Sequence, residues 1–247
     1  MISVIIITKN EEDNLTRCLE SVKWADEIIV VDSGSTDATV EIAKKFGAKV
    51  FVNDWKGYGA QKNFAIDKAT GEWILSIDAD EEVSHELREE IKKVIQNTGD
   101  YVAFKIPRRL IFQGKFLRCG GCYPNYQIRL FRKNKAKFNL DLVHEQLIVG
   151  GKIGYINGSL IHYSYKNLSD YFERFNRYST LDARKRFSNN KKFYFWHYIQ
   201  PFFKFFSMYF LRLGFLDGSQ GLIWAILSSF YTFVKFQKLK ELWNEKK

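Results

Sequence analysis

The stretch WILSIDADEE, residues 73–82, runs from apolar residues into four carboxylates, Asp78, Asp80, Glu81 and Glu82. Neighbouring carboxylates repel one another unless a cation or hydrogen-bond donors offset the charge, so a cluster at the tip of an apolar strand points to function. Asp78 and Asp80, one residue apart where the chain turns, can face a common cation, and hard divalent ions such as Mg2+ or Mn2+ prefer oxygen ligands. An ion held this way would in turn hold a diphosphate. Glu81, Glu82 and Glu86 read instead as the solvated start of a helix around Ser84.

The elements that must position this cluster are legible in the first hundred residues, where strand and helix signals alternate and the strands are apolar enough for burial on both faces. Strands are expected at Ser3–Thr8, Glu27–Val31, Lys49–Val52 and Trp73–Ile77. Asn10 can cap a helix that puts Leu15, Leu19 and Val22 on one face, and Ser35 can cap the next, which stops at Gly47. A further helix over about 60–69 precedes the fourth strand. In open α/β sheets ligands bind outside the carboxyl ends of the strands. Three strands end there in polar groups: Thr8-Lys9-Asn10-Glu11, Asp32-Ser33-Gly34-Ser35 and Asp78-Ala79-Asp80. No GxGxxG follows the first strand, which argues against an ordinary dinucleotide site.

Beyond a helix carrying Leu87, Ile91, Val94 and Ile95, the rhythm gives way to strand-like pieces at Tyr101–Ile106 and Gln127–Phe131, the mark of a mixed or antiparallel addition. Composition shifts again near residue 166, and residues 193–236 hold 17 aromatics in 44 positions. Ile199, Phe202, Phe203, Phe206, Phe210 and Leu213 share one helical stripe. Leu222–Val234 is a second apolar stretch, shorter than the roughly 20 residues that span a bilayer.

With 247 residues and 46% hydrophobic content the chain has the material for a large core, which excludes a disordered protein. The formal net charge is +10, and all of the excess lies late: residues 151–247 hold 16 basic and 6 acidic residues. Such asymmetry suggests an anionic partner, nucleic acid or lipid. Dense aromatic content without a full span favours an anionic membrane surface over nucleic acid, with Lys191, Lys192, Lys204, Arg212, Lys235 and Lys238 facing lipid. Cys18, Cys119 and Cys122 make no even disulfide framework, which fits a reducing cytoplasmic setting; Cys119 and Cys122 have redox or metal-pair spacing, but no second pair accompanies them. The N-terminal MISVIIITKNEED lacks the basic region and cleavage site of a signal peptide, and the chain is expected to start as a folded strand.

The segments VIIITKNEEDNLTRCLESV, EIIVVDSGSTDATVEIAKKFGAKV, GYGAQKNFAIDKATGEWILSIDADEE and LVHEQL together resemble glycosyltransferase family 2, nearest its lipopolysaccharide-core glucosyltransferase branch. The likeness extends through HYSYKNLSDY, DGSQG and the aromatic C-terminal part. It implies the GT-A fold, an α/β, Rossmann-like mixed sheet flanked by helices, over residues 1–165. Residues 1–100 would then form the nucleotide-sugar part and 101–165 the acceptor side, with 166–247 a helical membrane-interface region. It also implies inverting transfer of a sugar, glucose by likeness, from a UDP-sugar to a lipid-linked saccharide, by an enzyme peripheral on the cytoplasmic face of the inner membrane. By the same resemblance Thr8, Asn10, Glu11 and Asp32 contact the uridine, Lys62 and Asn63 line the donor site, Asp78 lies near the ribose, and Asp80 and His162 bind the metal. Asp32 also reads as a turn or capping residue, and His162 as a buried strand-end histidine.

An inverting displacement needs a base for the acceptor hydroxyl and a charge sink for the departing diphosphate. Glu145 in VHEQL is the candidate base, with His144 beside it able to assist. The stretch CGGCYPNYQIRLF departs from the family pattern, with Cys122 where relatives often carry Trp and Asn125 where they carry Asp. Arg129 and Arg132 in the following strand can clamp phosphate or simply be exposed. A sugar nucleotidyltransferase and a non-catalytic membrane adaptor are the competing readings; the first lacks a Gly-rich phosphate loop here. Oligomeric state is open.

Overall fold

The computed structural model describes every residue except 141–144, 166 and 247, so His144 lies outside the described residues. The chain divides into two compact units, Met1–Arg108 with Asn125–His162, and Arg109–Pro124 with Tyr163–Lys247.

The first unit opens with β1 (Ile2–Thr8), α1 (Glu12–Val22), β2 (Glu27–Asp32), α2 (Thr39–Lys45), β3 (Lys49–Val52), α3 (Tyr58–Lys68) and β4 (Trp73–Asp78). The four strands are parallel in the order β3-β2-β1-β4. Next come β5 (Glu81–Val83), α4 (His85–Gln96), β6 (Tyr101–Phe112), the short β7 (Lys115–Phe116) and β8 (Asn125–Arg132). β8 runs antiparallel between β4 and β6, so the sheet turns from parallel to mixed at the strand that carries Asp78. β9 (Ala136–Phe138) and β10 (Leu147–Val149) form a separate ladder, while β11 (Lys152–Tyr155) and β12 (Leu160–His162) return to the main sheet.

Alternation along β1 builds both faces of the core. Val4 and Ile6 meet Leu15 and Leu19 of α1 and Leu87 and Ile91 of α4; Ile5 faces the other way, with Ala65 and Ile66 of α3. All of these but Ile66, at 6%, are at most 1% exposed, and each large aliphatic side chain stabilises the fold by about 1.5–3 kcal/mol.

At the amino ends of the strands, Glu27 is 7% exposed and accepts from Lys49 Nζ at 2.7 Å, from Thr70 N at 2.8 Å and from Ser3 Oγ. Burial works against its charge, but these donors win and lower its pKa to about 2 from an ordinary 4.5. A carboxylate with a depressed folded-state pKa stabilises above its unfolded value, and that contribution disappears as pH falls through the folded one. Glu27→Gln is therefore expected to lower the urea midpoint at pH 7, with the gap to the parent closing between about pH 4.5 and 2. Denaturation curves across that window check it.

Three sequence expectations are corrected. Asn10 and Ser35 do not cap helices: α1 and α2 begin at Glu12 and Thr39 without side-chain caps. Asn10 has φ of 54° and accepts from Thr36 N at 2.9 Å, while Ser35 Oγ accepts from Asn10 N at 2.8 Å, so the two loops fasten to each other. Ser84 does cap α4, accepting from Leu87 N. Glu81 is not solvated; it is fully buried, because β5 shares one face between Glu81 and Val83 and turns it inward.

The second unit contains α5 (Leu168–Ser188), α6 (Trp196–Phe206) and α7 (Gly218–Glu245). Tyr171 and Phe175 of α5 and Leu227 of α7 pack with Phe112 and Leu117. Lys235 and Lys238 do not face outward as expected. Lys235 lies 3.6 Å from Asp182, and Lys238 Nζ donates to Asn176, Ser179 and Thr180, all on α5. Among the described residues no helix is long and apolar enough to cross a membrane.

Candidate functional site

The parallel register sets the site. Thr8 pairs with Asp32, and Ile7 with Asp78, so the polar ends of β1, β2 and β4 share one edge. Asp32 is 1% exposed and organises its own loop: Oδ1 accepts from Thr8 Oγ1 at 3.0 Å, and Oδ2 from Gly34 N at 2.9 Å and Ser35 N at 2.7 Å. A ligand reaching this carboxylate must compete with those donors. Glu11 stands at the start of α1, where its side chain accepts from Asn14 Nδ2 at 2.9 Å.

At the tip of β4, Asp78 is held from two sides. Arg129 Nη2 of β8 donates to its Oδ2 at 2.6 Å, and Lys62 Nζ of α3 lies 3.4 Å from Oδ1. Burial alone would raise its pKa, but Arg129 and then Lys62 outweigh it and hold the carboxyl well below the usual range. The same Arg129 nitrogen meets Glu81 Oε1 at 2.9 Å, and Glu81 Oε2 accepts from the Asp78 backbone N–H at 2.9 Å. Arg108 Nη1 approaches Glu81 at 3.4 Å. Buried Glu81 thus fixes both the backbone and, through Arg129, the side chain of Asp78. Burial disfavours the Arg129 cation, yet Asp78 and Glu81 raise its pKa further. Sequence reading missed Glu81 and left Arg129 between a phosphate clamp and an exposed residue; here Arg129 is 7% exposed and ties carboxylates. The available signal was Val83, whose apolar side chain marks the inward face two residues on.

Lys62, 5% exposed, extends the chain of charges to Glu145 Oε1 at 2.7 Å. Glu145 is seated by its neighbours: Asn139 N donates to Gln146 O at 3.0 Å and Gln146 N to Asn139 Oδ1 at 2.9 Å. Gly59 of α3 leaves room for this segment, since a side chain there would run into Asn139 O. Asn63 uses both ends of its amide on the Phe138 backbone, at 2.9 Å each, and so anchors β9.

Asp80 and His162 come together because β12 pairs with β5, setting His162 opposite Glu81. His162 Nε2 lies 3.4 Å from Asp80 Oδ2, and both side chains are largely buried. Two ligands of one cation can span that separation; the carboxylate suits Mn2+ or Mg2+, and the imidazole beside it favours the transition metal of the two when phosphate oxygens and water complete the shell. Among the described residues no group of three or more His, Cys, Asp or Glu side chains suited to a metal forms. Cys18, Cys119 and Cys122 are free thiols.

Residues 3–163 match Glycosyl transferase family 2. An uncharacterized glycosyltransferase of Rickettsia typhi is 37% identical over 98% of this chain and 87% of its own length. The chain belongs to glycosyltransferase family 2. Another relative, the lipopolysaccharide core biosynthesis glycosyltransferase LpsC of Rhizobium meliloti, is 31% identical over 96% of this chain and 91% of its own. Among solved structures, glucosyl-3-phosphoglycerate synthase from Mycobacterium tuberculosis, in complex with Mn2+, UDP and glucosyl-3-phosphoglycerate, aligns with a TM-score of 0.50 and 19% identity. The alignment covers 70% of this chain and 75% of that one. The family 2 chain thus has the GT-A fold expected from its sequence.

Proposed function

We propose that this glycosyltransferase moves a sugar, with inversion, from a UDP-sugar to a lipid-linked saccharide of the lipopolysaccharide core, working as a peripheral protein at the cytoplasmic face of the membrane. The observation that carries the reading is the line of contacts from Glu145 through Lys62 to Asp78 at the carboxyl edge of the sheet, with Asp80 and His162 paired beside it. LpsC supports the acceptor class, and the complex of the mycobacterial synthase supports UDP and a divalent metal.

Asp80 and His162 would hold Mg2+ or Mn2+. Such an ion would offset the charge of the departing diphosphate. Thr8, Asn10, Glu11 and Asp32 would line the uridine end and Asp78 the ribose, with Asp32 opening its Ser35 contact to reach the base. Lys62 orients Glu145 through Oε1, so that Oε2 would take the proton of the acceptor hydroxyl.

Purified protein is expected to release UDP from one of a panel of UDP-sugars in the presence of Mn2+. Pyrophosphate release from UTP would instead indicate a nucleotidyltransferase, and turnover of neither would leave an adaptor. Glu145→Gln should bind the donor normally while transfer falls by about 10²–10⁴-fold, the usual contribution of a general base. Unchanged transfer would move the base elsewhere; donor affinity by calorimetry separates the two effects.

A further inference from the structure

Residues 183–216 contain seven basic residues and no acidic one. The same segment exposes its large apolar side chains: Phe195 is 76% exposed, Phe202 75%, Leu211 70% and Leu216 62%. α6 passes into a π turn at Ser207–Leu211 and then a 3-10 turn at Gly214–Asp217, with Leu213 between them at a φ of 56°. A left-handed backbone is uncommon for a bulky apolar residue and persists only where its surroundings fix it.

Those surroundings are visible. Asp217, 5% exposed, accepts from Arg118 N at 3.2 Å and Cys119 N at 2.8 Å, and its carbonyl accepts from Lys115 Nζ at 2.7 Å. Gly120 N donates to Arg212 O at 2.7 Å. Gly214 sits so near Met208 that a Cβ there would lie 2.6 Å from its carbonyl oxygen. The elbow is therefore held from behind by the 109–124 hairpin, while Phe210, Leu211, Leu213, Phe215 and Leu216 remain in water.

Contiguous exposed apolar groups of this size mark an interaction surface, and charge decides the occupant. Lys204 on α6 and Arg212 in the elbow carry charge within this segment, and Lys191 and Lys192 are exposed ahead of α6. Partial burial, and then the Arg212 charge, pull the Lys204 ammonium below its ordinary value, so the cations crowd one another. A second copy of this face would add like charge to like charge. Nucleic acid would satisfy the cations and stack on spaced aromatics, but it offers nothing to three exposed leucines. An anionic bilayer surface accepts both, with basic groups at the headgroups and apolar ones beneath them.

We infer that the elbow Phe210–Leu216 is a preformed wedge that inserts into the interfacial zone of an anionic lipid bilayer, with the exposed side of α6 against the headgroups. The inference deepens the reading of a lipid-linked acceptor and rests on it for its purpose, but vesicle binding is measured without turnover. The full chain is mixed with sedimenting vesicles of phosphatidylcholine alone or with about one third phosphatidylglycerol. Binding is expected only to the anionic vesicles and should weaken with salt. Leu211→Ser with Leu216→Ser should reduce it by at least ~10-fold per site, and Lys192→Glu with Arg212→Glu by at least ~5-fold per site. Circular dichroism and UDP release without vesicles should be unchanged in all four substitutions. Equal binding to both vesicle types, or variants that bind like the parent, would overturn the wedge. So would a dimer in light scattering that the leucine variants dissociate, since the face would then be a protein interface. A protein that binds vesicles as described but never turns over a UDP-sugar would sink the enzyme reading and leave the wedge standing.

Discussion

Asp80→Ala is expected to lower UDP release by about 10²–10³-fold, the scale on which removal of one group that stabilises transition-state charge acts. The fold should survive. Asp80 closes the strand tip beside His162, whereas the contacts that anchor the tip run through Glu81, Arg129 and Asp78. The thermal midpoint should therefore move little while turnover is lost. Calorimetric titration of UDP with and without Mn2+ adds a second readout. In the parent, Mn2+ should strengthen UDP binding; in Asp80→Ala that gain should vanish while metal-free binding persists. His162→Gln should show the same loss in weaker form, since an amide oxygen remains a ligand for a hard cation. A variant at position 80 that turns over at the parental rate would remove the metal from this site.

The parallel half of the sheet was readable because its strands are β-branched runs buried on both faces, and strand ends follow directly from where apolar residues stop. The same pattern puts Thr8, Asp32 and Asp78 on one edge, where the register has them. The loops after β1 and β2 were misread for a specific reason. Asn10 and Ser35 are good capping residues by type, but each has a partner in the other loop, 26 and 25 residues away, and the cross-loop contacts win. Glu81 and Arg129 are separated by 48 residues, and their contact depends on β8 entering antiparallel beside β4, which no local pattern announces. In the second unit, composition revealed an aromatic, cationic surface. It did not reveal which cations belong to it: Lys235 and Lys238 lie on α7 at positions that meet α5, a fact of helix pairing rather than of residue type.

Arg129→Met should cost about 3–5 kcal/mol of stability at pH 7, the range for breaking a buried ion pair by removing one partner. The Met fills comparable volume, so the loss would come from the charges left behind. Glu81 would stay fully buried with the Asp78 amide and a 3.4 Å contact to Arg108, and Asp78 would rely on Lys62. The pH dependence separates this cause from a packing defect. In the parent the Asp78 carboxyl titrates well below its ordinary 3.8, so the stability it contributes is present above that value and is lost as pH falls through the depressed one. The gap between parent and Arg129→Met, measured as urea midpoints, should therefore narrow below about pH 4, where unpaired carboxyls protonate; a packing defect would leave it constant. Glu81→Leu combined with Arg129→Met should be less damaging than the sum of the single changes, because each removes the group that the other strands. Additive losses would mean that the two side chains do not act as a pair, and that something other than Glu81 orients the aspartate at the end of β4.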